Sequence, residues 1–327
     1  MSRVPESVPH LDREIRRFIE KIGSDYAKYP PFDSLPIVEK RRVAALVRAP
    51  WAAGGPAMVH TRELRITEGH VRIRVHYPNS SRNLPALVYL HGGGWMLFDL
   101  ETHDRVMREY AARAGVAVVG VDYSRAPEAR FPVAIEESHA VVLWLRENGA
   151  LLDLDPTRLA IGGDSAGACM AVAVCLKLRD AGAHEVIRAM VLSYGSFDCN
   201  TDRGSFERYG DGSYLLGGAE MLYFYANYIR TEDDLADPLL RPLHANLHGL
   251  PSTFMAIAEL DVLHDDNLAM YSRLRASGVE VSGIVYPGTV HGFLEAVSIA
   301  PVSDRAFAET AQWLANRLHG RPTGALA

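Results

Sequence analysis

Cysteine is scarce in this chain of 327 residues: there are three, Cys169, Cys175 and Cys199. The first two fall six residues apart on one expected helix, roughly 9 Å along its axis, and a disulfide needs Cα atoms closer than about 7 Å. They cannot bridge each other, and a reduced, cytoplasmic chain is the simplest expectation. Long apolar runs are also lacking. A stretch such as Val116–Val121 falls far short of the ~20 residues that span a bilayer, so no membrane partner is expected. The opening MSRVPESVPHLDREIRR is charged throughout and has no apolar core, which reads as no secretory signal. Basic charge is not in excess. Against 34 Lys and Arg stand 40 Asp and Glu, a formal net charge of −6, whereas a nucleic-acid partner calls for a basic face. Gly (27) and Pro (18) are near ordinary usage, which excludes collagen-like and low-complexity chains. No HExxH, cysteine knuckle or carboxylate cluster points to a metal ion.

What is present is an apolar fraction of 48% with 23% charged residues, enough for a large soluble core. Leu11, Ile15, Phe18 and Ile22 recur at steps of 4, 3 and 4, an amphipathic helix over residues 10–23. Tyr29-Pro30-Pro31 breaks it, and Val38–Val47 reads as a second helix closed by Ala49-Pro50. Apolar and polar residues then alternate over Leu64–Thr67 and Val71–Val75 around Glu68-Gly69-His70, the pattern of a hairpin. Beyond it, apolar strands (86–90, 116–121, 159–161, 189–192, 253–258, 279–285) alternate with amphipathic helices (103–114, 134–147, 166–180, 265–276, 303–318). That rhythm predicts an α/β fold, a mostly parallel sheet covered on both faces. Two pieces fall outside it, 1–55 and about 196–235, and these are expected to form a cap.

Gly163-Asp164-Ser165-Ala166-Gly167 lies between a short strand and a long helix. There, small flanking residues permit a sharp turn that lifts a serine hydroxyl above the sheet. His91-Gly92-Gly93-Gly94-Trp95 follows the strand 86–90, and its glycines leave backbone N–H groups bare for a developing oxyanion. An acid and a base are then needed, in the chain order Ser, Asp, His. Asp261 stands after the strand 253–258, where an acid reaches over the sheet end. Asp265 and Asp266 are expected to open the next helix as capping and dipole residues. Among 13 histidines, His291 alone combines a strand end, flanking glycines and the right order.

These motifs resemble the hormone-sensitive-lipase-like (bacterial family IV) carboxylesterases of the α/β-hydrolase superfamily. The resemblance rests on HGGGW (91–95), DYSRAPEARFPVA (122–134), GDSAG (163–167), AELDVLHDD (258–266) and YPGTVHGF (286–293). It implies an α/β-hydrolase fold with a helical cap, the catalytic domain over 56–327 and cap pieces at 1–55 and 196–235. By matching positions it implies Ser165 as nucleophile, His291 as base and Asp261 as orienting acid, with the N–H groups of Gly93, Gly94 and Ala166 as the oxyanion hole. The expected activity is hydrolysis of short- to medium-chain acyl esters, with a small-molecule ester as partner and no cofactor. Amidase, lactonase and acyl transferase remain alternatives, because a triad does not dictate the leaving group. A non-catalytic receptor on the same fold is more distant, since the histidine is present. Trp95, Tyr214 and Phe224 are the expected pocket residues, within a stretch rich in aromatics that also holds Tyr223, Tyr225 and Tyr228. By family analogy the chain would pair as a homodimer through the sheet edge. Cys169 reads as an inert helix cysteine.

Overall fold

The computed structural model describes residues 11–67 and 70–320. Eight strands form one sheet: β1 (His60–Ile66), β2 (Val71–Tyr77), β3 (Leu84–Leu90), β4 (Ala117–Asp122), β5 (Leu154–Asp164), β6 (Ile187–Ser193), β7 (Ser252–Ala258) and β8 (Val281–Tyr286). Their order is β1-β2-β4-β3-β5-β6-β7-β8. β2 runs antiparallel to both its neighbours, and every pair from β4 to β8 is parallel. β1 and β2 pair as the alternation predicts, while residues 68 and 69 of the expected turn, like the first ten residues read for a signal, lie outside the described residues.

Parallel strands are joined by helical crossovers, so both faces of the sheet are covered. The side chains of β3 show the division: Val88 and Leu90 enter one apolar cluster, Leu87 and Tyr89 the other. The first face is packed by α4 (Val133–Asn148), α5 (Ala166–Asp180) and α8 (His264–Ala276), the second by α3 (Asp104–Ala114) and α9 (Pro301–His319). α5 is apolar almost all round, as a helix buried on every side must be.

The N-terminal helices α1 (Arg13–Tyr26) and α2 (Ile37–Ala52) join the second cluster. Asp12 caps α1, its Oδ1 accepting the N–H groups of Glu14 (2.8 Å) and Ile15 (3.1 Å). Ile15, Phe18 and Ile22 are fully buried, as their spacing predicts. α2 runs past the expected stop at Ala49-Pro50 and ends at Ala52. Pro50 sits in the last turn and removes only its own N–H from the ladder, and Trp51 just beyond it is held edge-on to Phe18 at 4.7 Å. The second irregular stretch contains α6 (Gly204–Tyr209) and α7 (Gly218–Tyr228). The two pieces touch where Lys40 Nζ of α2 donates to the Tyr223 hydroxyl of α7 at 3.1 Å.

Candidate active site

Strand β5 ends at Asp164 and α5 begins at Ala166, so Ser165 alone makes the turn, at φ 54° and ψ −120°. A non-glycine residue held there stores about 1–3 kcal/mol of strain. The turn is possible because Gly167 has no side chain: a Cβ on it would lie 1.9 Å from the Leu90 carbonyl oxygen. The result is a serine with its hydroxyl above the ends of the parallel strands.

His291 Nε2 lies 2.9 Å from Ser165 Oγ, and His291 Nδ1 lies 2.9 Å from Asp261 Oδ2. The three residues come from the ends of β5, β7 and β8, brought together by the parallel arrangement. Asp261 is 1% exposed, and its other oxygen accepts the Leu263 N–H at 2.9 Å. One carboxylate oxygen is thereby fixed independently of the imidazole, and the other is left to face it. Burial alone disfavours a charged His291, but the Asp261 carboxylate outweighs it and the pKa is raised above the ordinary 6.5. The loop carrying His291 is tied to α1, since the Asp12 N–H donates to the Gly288 carbonyl at 3.0 Å.

Beside the serine, the Gly93 carbonyl accepts from the N–H groups of Met96 (3.1 Å) and Leu97 (2.8 Å). The N–H groups of Gly93 and Gly94 find no acceptor among the described residues, and that of Ala166 stands ahead of the ladder of α5. Gly94 has φ +59°, and a Cβ there would meet the Phe224 ring at 2.3 Å, so α7 presses directly on this loop.

A second set of polar contacts, marked by no motif, braces the loop. Asp164 Oδ1 accepts the Gly92 N–H (3.1 Å) and the Tyr89 hydroxyl (2.8 Å), and its Oδ2 faces His103 Nε2 at 3.4 Å. Burial opposes the charge of Asp164, but His103 and the Tyr89 hydrogen bond outweigh it and hold the carboxyl below its usual range. Burial pushes the His91 pKa down to about 3. From α2, Arg41 donates to the carbonyls of Met96 (2.8 Å) and Ala126 (2.7 Å) and pairs with Glu128. Arg125 donates to the Phe98 carbonyl. An acid next to the nucleophile was a usable sequence signal for Asp164, whereas Arg41 is an ordinary helix charge until the fold aims it.

The expected pocket residues separate. Phe224 is packed on Gly94, whereas Trp95 is 1% exposed and stacked on Tyr228 at 4.6 Å. Tyr214 is half-buried and edge-on to Tyr209 at 5.1 Å. Tyr225 is an anchor, bonded to Ser196 Oγ (2.9 Å) and the Asp198 carbonyl (3.1 Å). The carboxylates after Asp261 stand in the first turn of α8, as expected for the helix dipole, but neither caps it, since the N-cap Leu263 has no side-chain bond. Asp265 Oδ2 accepts the Ser205 N–H of α6 at 2.8 Å, and Asp266 Oδ2 accepts the Asp198 N–H at 3.2 Å and pairs with Arg203. The free N–H groups of the 196–235 stretch take these acids because α6 and its leading loop pack directly above α8. Cys169 is buried, which raises its thiol pKa.

The sheet order, the crossovers and the serine at the strand-to-helix turn define an α/β hydrolase. Residues 87–295 match the family described as the alpha/beta hydrolase fold. The chain is 32% identical over 320 residues to an acetyl esterase of Salmonella paratyphi B, covering 96% of this chain and 98% of that protein. It is 34% identical over 274 residues to a carboxylesterase of Mycobacterium tuberculosis, covering 79% and 84%. Among solved structures, a hyperthermophilic esterase from Pyrobaculum calidifontis superposes with a TM-score of 0.87 at 28% identity, covering 94% of this chain and 98% of the other. An ester hydrolase from the metagenome of Lake Arreo, bound to a bipyridine phosphonate derivative, gives 0.88 at 31% identity, covering 93% and 98%. The chain belongs to the α/β-hydrolase family, in its hormone-sensitive-lipase-like group, and is a carboxylic ester hydrolase.

Proposed function

We propose that the chain hydrolyses short- to medium-chain acyl esters through an acyl-enzyme on Ser165. The observation that carries this reading is the hydrogen-bonded row Ser165 Oγ, His291 and Asp261, with both links at 2.9 Å. Ser165 is a weak nucleophile until His291 Nε2 takes its proton, and Asp261 fixes the tautomer and stabilises the imidazolium. As Oγ adds to the carbonyl carbon, the oxygen gains negative charge. The N–H groups of Gly93, Gly94 and Ala166 are the donors placed to receive it, each worth about 3–4 kcal/mol in the transition state. His291 then returns the proton to the departing alcohol, and water repeats the sequence on the acyl-enzyme.

The acyl range follows from the cover over the site. In this reading residues 1–55 and about 196–235 form a helical cap on the catalytic domain 56–327. Phe224 of that cap stands against Gly94, beside the acyl-transfer groups. Relatives named acetyl esterase support the short end of the range. A series of p-nitrophenyl esters, measured beside matched amides and lactones, tests the reading. Activity should peak between roughly two and eight acyl carbons and exceed that on amide and lactone. Higher kcat/KM on long-chain lipid than on butyrate would refute the range, and faster amide or lactone turnover would refute the ester preference.

A further inference from the structure

His103 leads into α3 and is buried beside the glycine loop 91–94. Three neighbours of that loop meet at its ring. Nε2 faces Asp164 Oδ2 at 3.4 Å, and the ring centroid lies 5.5 Å from that of His91 and 5.7 Å from that of Phe98. Phe98 closes on the loop, since a Cβ on Gly93 would lie 2.9 Å from its Cδ2. Asp164, one residue before the serine, closes on it as well. Its Oδ1 accepts the Gly92 N–H at 3.1 Å, and its Oδ2 would lie 2.4 Å from a Cβ on Gly92. The loop carbonyls are also engaged: the Tyr123 hydroxyl donates to that of His91 at 2.8 Å, and His91 Nδ1 to that of Gly92 at 2.7 Å. Only the N–H groups of Gly93 and Gly94 are left without an acceptor among the described residues.

Thr102 fixes where the protons of His103 lie. Its Oγ1 accepts the Asp99 N–H and donates to the Asp99 carbonyl, both at 2.9 Å. A hydroxyl has a single proton to give, so toward His103 Nδ1, 3.1 Å away, it can only accept. Nε2 faces a carboxylate, which only accepts as well. Each ring nitrogen therefore carries a proton, and His103 and Asp164 form a buried ion pair. Burial opposes both charges, yet the pKa of His103 is raised and that of Asp164 lowered, each by the other. We propose that His103 is a positioning residue for the reaction: by holding Asp164 charged and in place, it sets the Gly93 and Gly94 N–H groups where the oxyanion develops.

A hydrogen bond from Gly92 to an ionised carboxylate is roughly twice as strong as one to a neutral acceptor. Without His103 the buried carboxylate loses the cation that offsets its desolvation, and it takes up a proton or turns away. The Gly92 N–H then loosens, and the next two N–H groups shift with it because they belong to consecutive peptide units. A misplacement of ~1 Å costs up to about a hundredfold in rate. An ester carbonyl carries little charge before attack, so the loss falls on the transition state and not on substrate binding. The inference rests on the esterase reading above and adds how its oxyanion donors are held.

Two inhibitors of the same length test it, trifluoromethyl hexyl ketone and methyl hexyl ketone, on the native enzyme, His103→Gln and Asp164→Asn. Attack of Ser165 Oγ on the fluorinated ketone forms a C–O bond, moves the carbonyl electron pair onto oxygen and passes the serine proton to His291. An oxyanion then occupies the hole, whereas the plain ketone only fills the pocket. Both variants should lose about ten- to a hundredfold in kcat/KM on p-nitrophenyl acetate and in affinity for the fluorinated ketone, with affinity for the plain ketone changed less than about twofold. The double variant should lose no more than the weaker of the two single variants, since the pair acts as a unit. If His103→Gln does not fold, Tyr89→Phe, which removes only the 2.8 Å bond to Asp164 Oδ1, should show the same selective loss at about fivefold. Equal weakening of both ketones, or an unchanged affinity for the fluorinated one, overturns the positioning role. A native enzyme inactive on p-nitrophenyl acetate overturns the esterase reading, and the positioning role with it.

Discussion

Replacing Asp261 and Asp265 separately by Asn distinguishes the orienting acid from a neighbour of the same charge four residues away. Asp261 Oδ2 holds His291 Nδ1 at 2.9 Å and Oδ1 takes the Leu263 N–H at 2.9 Å. An Asn keeps the acceptor for Leu263, so the start of α8 survives. It then presents an amide N–H to His291 Nδ1, favouring the wrong tautomer and withdrawing the stabilisation of the imidazolium. The expected loss is about 10⁴ in kcat, or ~5.5 kcal/mol at 1.36 kcal/mol per decade. Asp265 instead takes the Ser205 N–H at 2.8 Å and faces Arg208 at 3.5 Å. Asn at 265 still accepts from Ser205, so about 1 kcal/mol of stability at most is at stake, from a weakened charge at the start of α6. Initial rates on p-nitrophenyl acetate together with the Tm of each variant separate the two. An inactive Asp265→Asn beside a normally active Asp261→Asn would refute the assignment.

Three further outcomes are expected. His291 must be neutral to accept the serine proton and its pKa is raised above 6.5, so kcat/KM should fall on acidification with a midpoint above pH 6.5; a midpoint well below that value would contradict the effect of Asp261. Deleting residues 1–50 removes the fully buried Ile15, Phe18 and Ile22, each worth about 1.5–3 kcal/mol, and with them the Arg41 bonds to Met96 and Ala126. Poorer solubility and an altered ester preference should follow, and an unchanged kinetic profile across an ester panel would show that these residues take no part in the pocket. Gly94→Ala should cost more than tenfold in activity, because a Cβ meets Phe224 at 2.3 Å at a φ of +59°; near-normal kcat would show that the loop tolerates displacement.

The order of strands and helices was legible because parallel strands buried on both faces read as unbroken apolar runs, as in β3 and β4. Where that cause is missing, the reading fell short. β1 begins at His60, four residues before the first alternating residue, since an edge strand with exposed residues carries no apolar signature. β5 extends back to Leu154 through Pro156, which interrupts its run. In the site, Ser165, Asp261 and His291 could be placed by motif and chain order, because each follows a strand end and the sheet brings those ends together. The brace from Asp164 to Gly92 and the grip of Arg41 depend on contacts between distant segments. Nothing local distinguishes that arginine from the many that face water.

The central claim is that the acyl group passes through Ser165. Rapid acid quench of the enzyme turning over p-nitrophenyl acetate, followed by peptide mass spectrometry, reads this directly. The account predicts an acetyl group on the peptide carrying Ser165, a matching burst of p-nitrophenol, and loss of both in a folded Ser165→Ala variant, with turnover down by about 10⁴ or more. An unlabelled Ser165 peptide in the active enzyme, together with near-normal turnover by Ser165→Ala, would contradict it.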